Sequence, residues 1–173
     1  FISLTVANLS KTHMIKNKLK YYNHLNSNSY GISVVIPAYN EEKSIVKCVE
    51  SVYANHVRNK EVIVVNDGST DKTAFLLKNL KEKHSDLIVV DQKNSGKAAA
   101  LNNGIKNYAR FPLVMVLDGD SFLDRLALKN MIYHYENDDR LIAMATNVRI
   151  CEANSIVEYA QKVEYTIGAK YKE

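Results

Sequence analysis

Asp118 and Asp120 stand one glycine apart, directly after the apolar run Pro112-Leu-Val-Met-Val-Leu117. Two carboxylates that close repel each other unless a cation neutralises them, and a hard oxygen pair selects Mg2+ or Mn2+. Such an ion takes few protein ligands and completes its shell with water and phosphate oxygens. Gly119 is expected to allow a tight bend that turns both carboxylates toward one ligand. The competing reading is a plain turn in which Asp120 opens a helix cap. A calcium loop does not fit, because its fifth and twelfth positions would be Phe122 and Lys129, where oxygen ligands are required. A phosphatase with an aspartyl nucleophile would want its Asp pair after the first strand, where this chain has Tyr39-Asn40-Glu41 instead.

Three further polar clusters lie at comparable places: Tyr39-Asn40-Glu41-Glu42, Asn66-Asp67-Gly68-Ser69-Thr70-Asp71 and Asn94-Ser95-Gly96-Lys97. Tyr39 offers an aromatic face on which a planar heterocycle can stack, although on this residue alone a core tyrosine at a strand end is the favoured reading. Asp67 sits where its carboxylate can accept from a base or ribose donor. Thr70 and Asp71 are better read as caps that satisfy a helix N-terminus. Lys97 opens a helix, where the dipole favours acids, so a ligand anion nearby would explain it. The phosphate-loop pattern G-x-x-x-x-G-K-[ST] and the dinucleotide pattern G-x-G-x-x-G are both absent. The five histidines show no metal-ligand spacing, and Cys48 lies on the apolar face of a helix.

These clusters need a scaffold, and the hydrophobic pattern supplies one. Apolar, β-branched runs at 32–37, 61–65, 86–90, 112–117 and 141–145 read as strands. Between them, helical spacing appears at Ile45, Val46, Val49, Val52 and Tyr53, then at Leu76, Leu77 and Leu80, with Ser69 or Thr70 as cap. It continues at Ala98, Leu101, Ile105 and Tyr108, at Leu128, Met131, Ile132 and Tyr135, and at Ile156, Ala160, Val163 and Ile167. Continuous apolar strands alternating with helices predict an α/β fold with a mostly parallel central sheet flanked by helices. Ligands of such sheets bind beyond the carboxyl ends of the strands, where all four polar clusters fall.

Composition sets outer bounds. The chain has 173 residues, 46% of them hydrophobic and 24% charged, which suits one folded domain with a sizeable core. Two cysteines, Cys48 and Cys151, cannot build a disulfide framework, so a reducing compartment is expected. The net charge of +4 is carried by Lys11, Lys16, Lys18 and Lys20, in a segment 1–30 without acidic residues. Residues 31–173 therefore balance, 19 basic against 19 acidic, which argues against a nucleic-acid partner. The ten uncharged residues from Phe1 are too few to cross a bilayer, against the ~20 needed. Followed by lysines, they suit the end of a membrane helix and a juxtamembrane segment on the cytoplasmic face. Residues 1–30 are expected to be a basic leader that can touch an anionic membrane surface through 11–20. A chain that opens on Phe1 is expected to be a soluble piece of a longer, membrane-attached protein.

In order along the chain, Ser33-Val-Val-Ile-Pro-Ala-Tyr-Asn-Glu-Glu42, Glu61-Val-Ile-Val-Val-Asn-Asp-Gly-Ser-Thr-Asp71, Gly96-Lys-Ala-Ala-Ala-Leu-Asn102 and Asp118-Gly-Asp120 resemble the family-two inverting glycosyltransferases. The resemblance covers roughly residues 31–150 and implies the A-type nucleotide-sugar-binding fold, with residues 31–173 as the donor part. It implies a nucleotide site lined by Pro37, Tyr39, Glu41, Asp67, Lys97 and Asp118. Tyr39 and Glu41 would line a uracil pocket, Asp67 would contact the base and Lys97 would approach the diphosphate. Asp118 and Asp120 would bind Mg2+ or Mn2+, Asp120 being the more direct ligand. Asn147-Val-Arg-Ile150 and Gln161-Lys-Val-Glu-Tyr165 are similar to processive β-glycan synthases of the poly-N-acetylglucosamine, hyaluronan and chitin type. This makes UDP-N-acetylglucosamine the preferred donor and a glycan hydroxyl the acceptor.

The chain departs from that family in one respect. It has no Trp, hence no Gln-x-x-Arg-Trp motif, and Glu152, Glu158 and Glu164 follow the Asp pair too closely to replace the family's downstream acceptor base. The base is therefore expected outside this chain, with the fold truncated at its C-terminus. Two other functions share the architecture. A nucleotidyltransferase making nucleotide-sugars would want a Gly-rich loop with Arg and Lys after the first strand, which Pro37-Ala-Tyr-Asn40 lacks. A non-catalytic nucleotide-sugar-binding domain is the third reading.

Overall fold

A computed structural model describes residues 30–145. Residues up to Asp139 belong to one compact unit and 140–173 to a second. The first unit alternates strand and helix: β1 (Ile32–Ala38), α1 (Ile45–Tyr53), β2 (Lys60–Asp67), α2 (Thr73–Lys83), β3 (Ile88–Gln92), α3 (Lys97–Tyr108), β4 (Leu113–Val116) and α4 (Ala127–Asn137). The four strands form one parallel sheet in the order β3-β2-β1-β4.

The unbroken apolar runs follow from burial on both faces. Every residue of β1 is buried, and so is every residue of β2 after Lys60. On one face Ile32, Val34, Ile36, Val62 and Val64 pack against Ile45, Val49 and Val52 of α1, Leu77 and Leu80 of α2, and Leu128 and Ile132 of α4. On the other, Val35, Ile63, Val65 and Val90 meet Ala100, Leu101 and Ile105 of α3. Each such aliphatic side chain removed from water contributes about 1.5–3 kcal/mol.

Several element bounds differ from the sequence expectation, each for a reason. Pro37 does not end β1. The Ile32 N–H donates to Asn59 O on the β2 side, and Leu117 N–H donates to Val35 O on the β4 side. Alternation then aims the Pro37 nitrogen at the β4 side, where it has no N–H to give. The β1–β4 ladder accordingly stops at Val35–Val116, while β1–β2 pairing continues to Ala38–Asn66. β3 starts two residues later than expected, at Ile88, and runs through two polar residues. Asp91 and Gln92 extend it because Asn66 Nδ2 donates to Asp91 Oδ1 at 2.7 Å and Gln92 Nε2 to Asp67 Oδ1 at 2.8 Å. α2 begins at Thr73, after both expected caps. Its Thr73 N–H is met by Asp71 Oδ1 at 2.9 Å, while Thr70 is engaged elsewhere.

The fifth strand expected at 141–145 is not formed. A strand exists only with a hydrogen-bonded neighbour, and these residues have no strand partner among the described residues; Ile142 is 98% exposed. The helix expected around Ile156–Ile167, the leader 1–30 before Tyr30, and Cys151 lie outside the described residues.

At the amino ends of the strands the sheet is pinned by a buried carboxylate. Glu61, 3% exposed, accepts from Ser33 Oγ at 2.5 Å, from the Arg110 N–H at 2.6 Å and from Arg110 Nε at 2.8 Å. Burial pushes its pKa up, but these donors outweigh that and hold it below the usual carboxylate value. The knot fixes the α3–β4 connection to β1 and β2, and leaves the opposite end of the sheet to the polar clusters.

Candidate nucleotide-sugar site

The chain path from β1 leads to β2 and β3 on one side, then crosses to β4 on the other. In open α/β sheets a crevice forms at that reversal, outside the carboxyl ends of the strands. Here the β1–β4 ladder ends two residues before Pro37, which lines the crevice. A cavity of about 350 Å3 occupies it, lined by Pro37, Ala38, Tyr39, Glu41, Asp67, Asn94, Gly96, Lys97, Asp118, Gly119 and Asp120. Each of the seven residues singled out from the sequence lies on it: Pro37, Tyr39 and Glu41 from the β1 exit, Asp67 from β2, Lys97 from α3, and Asp118 and Asp120 after β4.

Tyr39 is 49% exposed, so it is not a core tyrosine, and its ring is available to a ligand. Glu41 is fixed at two points. Its Oε2 accepts from Ser44 Oγ at 2.5 Å, and its aliphatic stem covers Gly119. A Cβ on Gly119 would stand 3.0 Å from Glu41 Cγ and 3.3 Å from Pro37 O. Close approach therefore favours glycine between the two aspartates, and it lies in the turn expected from the sequence, closed by the Ser121 N–H donating to Asp118 O at 2.9 Å, with a φ that is not positive. Positive φ appears instead at Gly68 (+71°), where a Cβ would lie 2.7 Å from the Asn94 backbone N.

Asp67 is 3% exposed and already heavily engaged. Its Oδ1 accepts from Gln92 Nε2 at 2.8 Å and from the Ser95 N–H at 2.9 Å; its Oδ2 accepts from the Gly96 N–H at 2.8 Å. Burial alone would raise its pKa, but these three bonds prevail and hold it below the usual range. A carboxylate has about four acceptor positions, so one is not taken by these three bonds. Asp67 is therefore also a strut for the loop that delivers Lys97, a role that sequence spacing does not announce. Gln92, which shares it, carried no signal in the sequence beyond its place at a strand end.

Lys97 Nζ lies 2.6 Å from Asp118 Oδ1, with both side chains about half exposed. The cation at the start of α3 thus finds its anion across the cavity. Behind the aspartates, Cys48 and Ser51 of α1, and Asn55 two residues past its end, hold the segment after β4. Cys48 Sγ contacts Asp118 O at 3.5 Å, and Ser51 Oγ accepts from the Leu123 N–H at 2.9 Å. Buried Asn55 donates to Asp124 O at 3.0 Å and accepts from the Leu128 N–H at 3.1 Å. Burial, then Asp120, Glu41 and Asp118, push the Cys48 thiol up to about 12. Burial is the larger cause, and the three nearby carboxylates add to it.

Two carboxylates on one turn fit a Mg2+ or Mn2+ ion that draws its other ligands from water and phosphate. Among the described residues no group of three His, Cys, Asp or Glu side chains could hold a metal without such help. Asp120 and Asp118 are the residues that would hold it; Asp118 would first have to share its oxygen with Lys97 or release it.

Known proteins with the same features place the chain. It is 42% identical over 136 residues to the poly-beta-1,6-N-acetyl-D-glucosamine synthase of Staphylococcus aureus and 38% identical over 135 residues to that of Staphylococcus epidermidis. Both matches cover 78% of this chain and 32% of the relative, so the chain spans about a third of the length of the curated relatives it matches. Among solved structures, S. aureus TarS in complex with UDP-GlcNAc superposes with a TM-score of 0.57 at 29% identity, over 62% of this chain and 31% of TarS. A mannosyltransferase from Pyrobaculum calidifontis, in complex with GDP-Man and Mn2+, gives 0.55 at 25% identity, over 74% and 42%. The fold is that of the A-type glycosyltransferases, with its parallel sheet and helices as expected. With residues 33–172 matching its defining pattern, the chain belongs to glycosyl transferase family 2.

Proposed function

We propose that this chain is the donor-binding part of an inverting glycosyltransferase that takes N-acetylglucosamine from UDP-N-acetylglucosamine and adds it to a β-linked glycan. The observation that carries the reading is the convergence of Tyr39, Glu41, Asp67, Lys97, Asp118 and Asp120 on one cavity at the sheet's switch point. Relatives named for poly-N-acetylglucosamine synthesis and a neighbour bound to UDP-GlcNAc support the donor. In this assignment Tyr39 and Glu41 flank the uracil, Asp67 offers its remaining acceptor position to the base and Lys97 turns to the diphosphate. Asp120 and Asp118 would hold a Mg2+ or Mn2+ ion, which would supply Lewis-acid stabilisation of the departing nucleoside diphosphate. The acceptor base belongs to a part of the enzyme outside this chain.

Calorimetric titration with UDP, GDP and ADP, each with and without Mn2+, tests the assignment. Metal-dependent binding of UDP in preference to the other two is expected. Equal affinity for all three overturns the uracil pocket, and preference for GDP moves the donor toward the mannosyltransferase neighbour. The proposal places the protein at the cytoplasmic face of a membrane through residues 11–20, which lie outside the described residues; no helix among the described residues is long and apolar enough to cross a bilayer. Salt-sensitive binding of the chain to anionic vesicles, lost when Lys11, Lys16, Lys18 and Lys20 become Ser, is the expected result.

A further inference from the structure

Asn40 lies between Tyr39 and Glu41, on none of the cavity walls, and is the non-glycine residue with a positive φ (+56°) among those described. A left-handed backbone is uncommon outside glycine, and Asn tolerates it best because its short amide can bond locally. Here the amide bonds to a distant loop. Asn40 Oδ1 accepts from the Thr70 N–H at 2.8 Å and from Thr70 Oγ1 at 3.3 Å, and the Asn40 N–H donates to Ser69 Oγ at 3.0 Å.

The next residues continue the exchange. The Glu41 N–H donates to Thr73 Oγ1 at 2.8 Å, the Glu42 N–H to Asp71 Oδ2 at 3.1 Å, and the Lys72 N–H to Glu42 Oε2 at 3.1 Å. Five backbone N–H groups that loops would otherwise leave to water are thus satisfied reciprocally between the β1 and β2 exits. The reversal of direction at Asn40 is what lets three consecutive N–H groups, 40 to 42, face the second loop. Without it Tyr39 and Glu41 would not be held on the cavity wall at the same time.

We propose that Asn40 is a positioning residue: its left-handed backbone and its Oδ1 weld the β1 exit loop to the β2 exit loop and so preset Tyr39 and Glu41 for the nucleotide. The inference rests on the nucleotide reading above for its ligand, and on the loop geometry alone for the weld. A loop that is competent only part of the time weakens apparent affinity by that fraction.

The test compares Asn40→Ala, Asn40→Gly and Asn40→Asp in the full chain by UDP titration in Mn2+ and by amide hydrogen exchange. Asn40→Ala, which strains the backbone and removes the acceptor, is expected to weaken UDP about tenfold. It should also speed exchange at Glu41, Glu42 and Lys72, whose own partners are untouched. Asn40→Gly keeps the backbone but loses the acceptor, and falls between. Asn40→Asp keeps both and restores binding and protection. Unchanged exchange at those three amides in Asn40→Ala, or no rescue by Asp, overturns the inference. Should Asn40→Ala fail to fold, Ser69→Ala, which removes only the exposed acceptor of the Asn40 N–H, must give the same pattern in weaker form. A wild-type chain that takes up no UDP overturns the nucleotide reading, while the exchange measurement still decides the weld.

Discussion

Asp67→Asn isolates a single acceptor atom. In the cheaper orientation the new amide keeps its oxygen at the Oδ1 position, so Gln92 Nε2 and the Ser95 N–H still have an acceptor. The NH2 group then faces the Gly96 N–H, donor against donor, at a site 3% exposed. The change removes one charge-assisted bond, worth about 1.5–3 kcal/mol, and leaves the Gly96 N–H of this part-buried contact without its acceptor, which costs up to about 1–3 kcal/mol. Because these descriptions overlap, a net loss of about 2–4 kcal/mol is expected. With a urea m-value of about 2 kcal/mol/M, that loss lowers the unfolding midpoint by about 1–2 M. The acid limb carries a second signature. Asp67 has a folded pKa below its unfolded value of 3.8, so it adds stability above that pH and loses it as the pH falls through the folded pKa. Wild type should therefore lose stability more steeply than Asp67→Asn below about pH 4. Urea unfolding at pH 7, 5, 4 and 3 measures both. A midpoint at pH 7 within ~0.3 M of wild type, together with parallel acid limbs, would falsify the strut assigned to Asp67.

Asp120→Ala should abolish the Mn2+-dependent part of UDP binding in calorimetry while leaving the thermal midpoint near wild type, because the side chain is exposed; EDTA should reproduce it. Gly119→Ala forces a Cβ against Glu41 Cγ and the Pro37 carbonyl, and overpacking of that kind costs about 1–3 kcal/mol in a urea melt. It should also weaken UDP binding, and normal binding would show that the two aspartates tolerate a wider turn. Cys48, with its thiol pushed to about 12, should resist iodoacetamide at pH 8 in a Cys151→Ser chain and react only after denaturant is added. Rapid labelling of the native chain would contradict its packing beneath Asp118.

The polar clusters were legible because chemistry and topology coincide at strand ends. Asp118-Gly-Asp120 after an apolar strand and Tyr39 after another needed only the rule that parallel sheets bind ligands at their carboxyl edge. The central strands were legible because burial on both faces leaves unbroken β-branched runs. What escaped is held by contacts between residues 25 to 73 positions apart. Asp91 and Gln92 read as loop until Asn66 and Asp67 pair with them across the strands. Asn40 is one member of a polar cluster until Thr70 and Ser69 arrive, and nothing in the sequence singles out Asn55, which bonds to Asp124 and Leu128. The segment 141–145 shows the converse error: an apolar run is necessary for a strand, but a partner is also required.

Helix α1 joins features so far treated separately. Its entrance follows the Tyr39–Ser44 loop, its Cys48 contacts Asp118 O, and its Ser51, with Asn55 just past its end, holds Leu123 and Asp124 of the segment that follows the two aspartates. The jaw that would meet the base and the jaw that would meet the charged end of a nucleotide, on the proposed function, are therefore mounted on one helix. On the nucleotide-sugar reading, the protein works as a caliper set to one span. A nucleoside monophosphate would reach one jaw only, and its loss of affinity relative to the diphosphate would measure how rigidly that helix holds its setting.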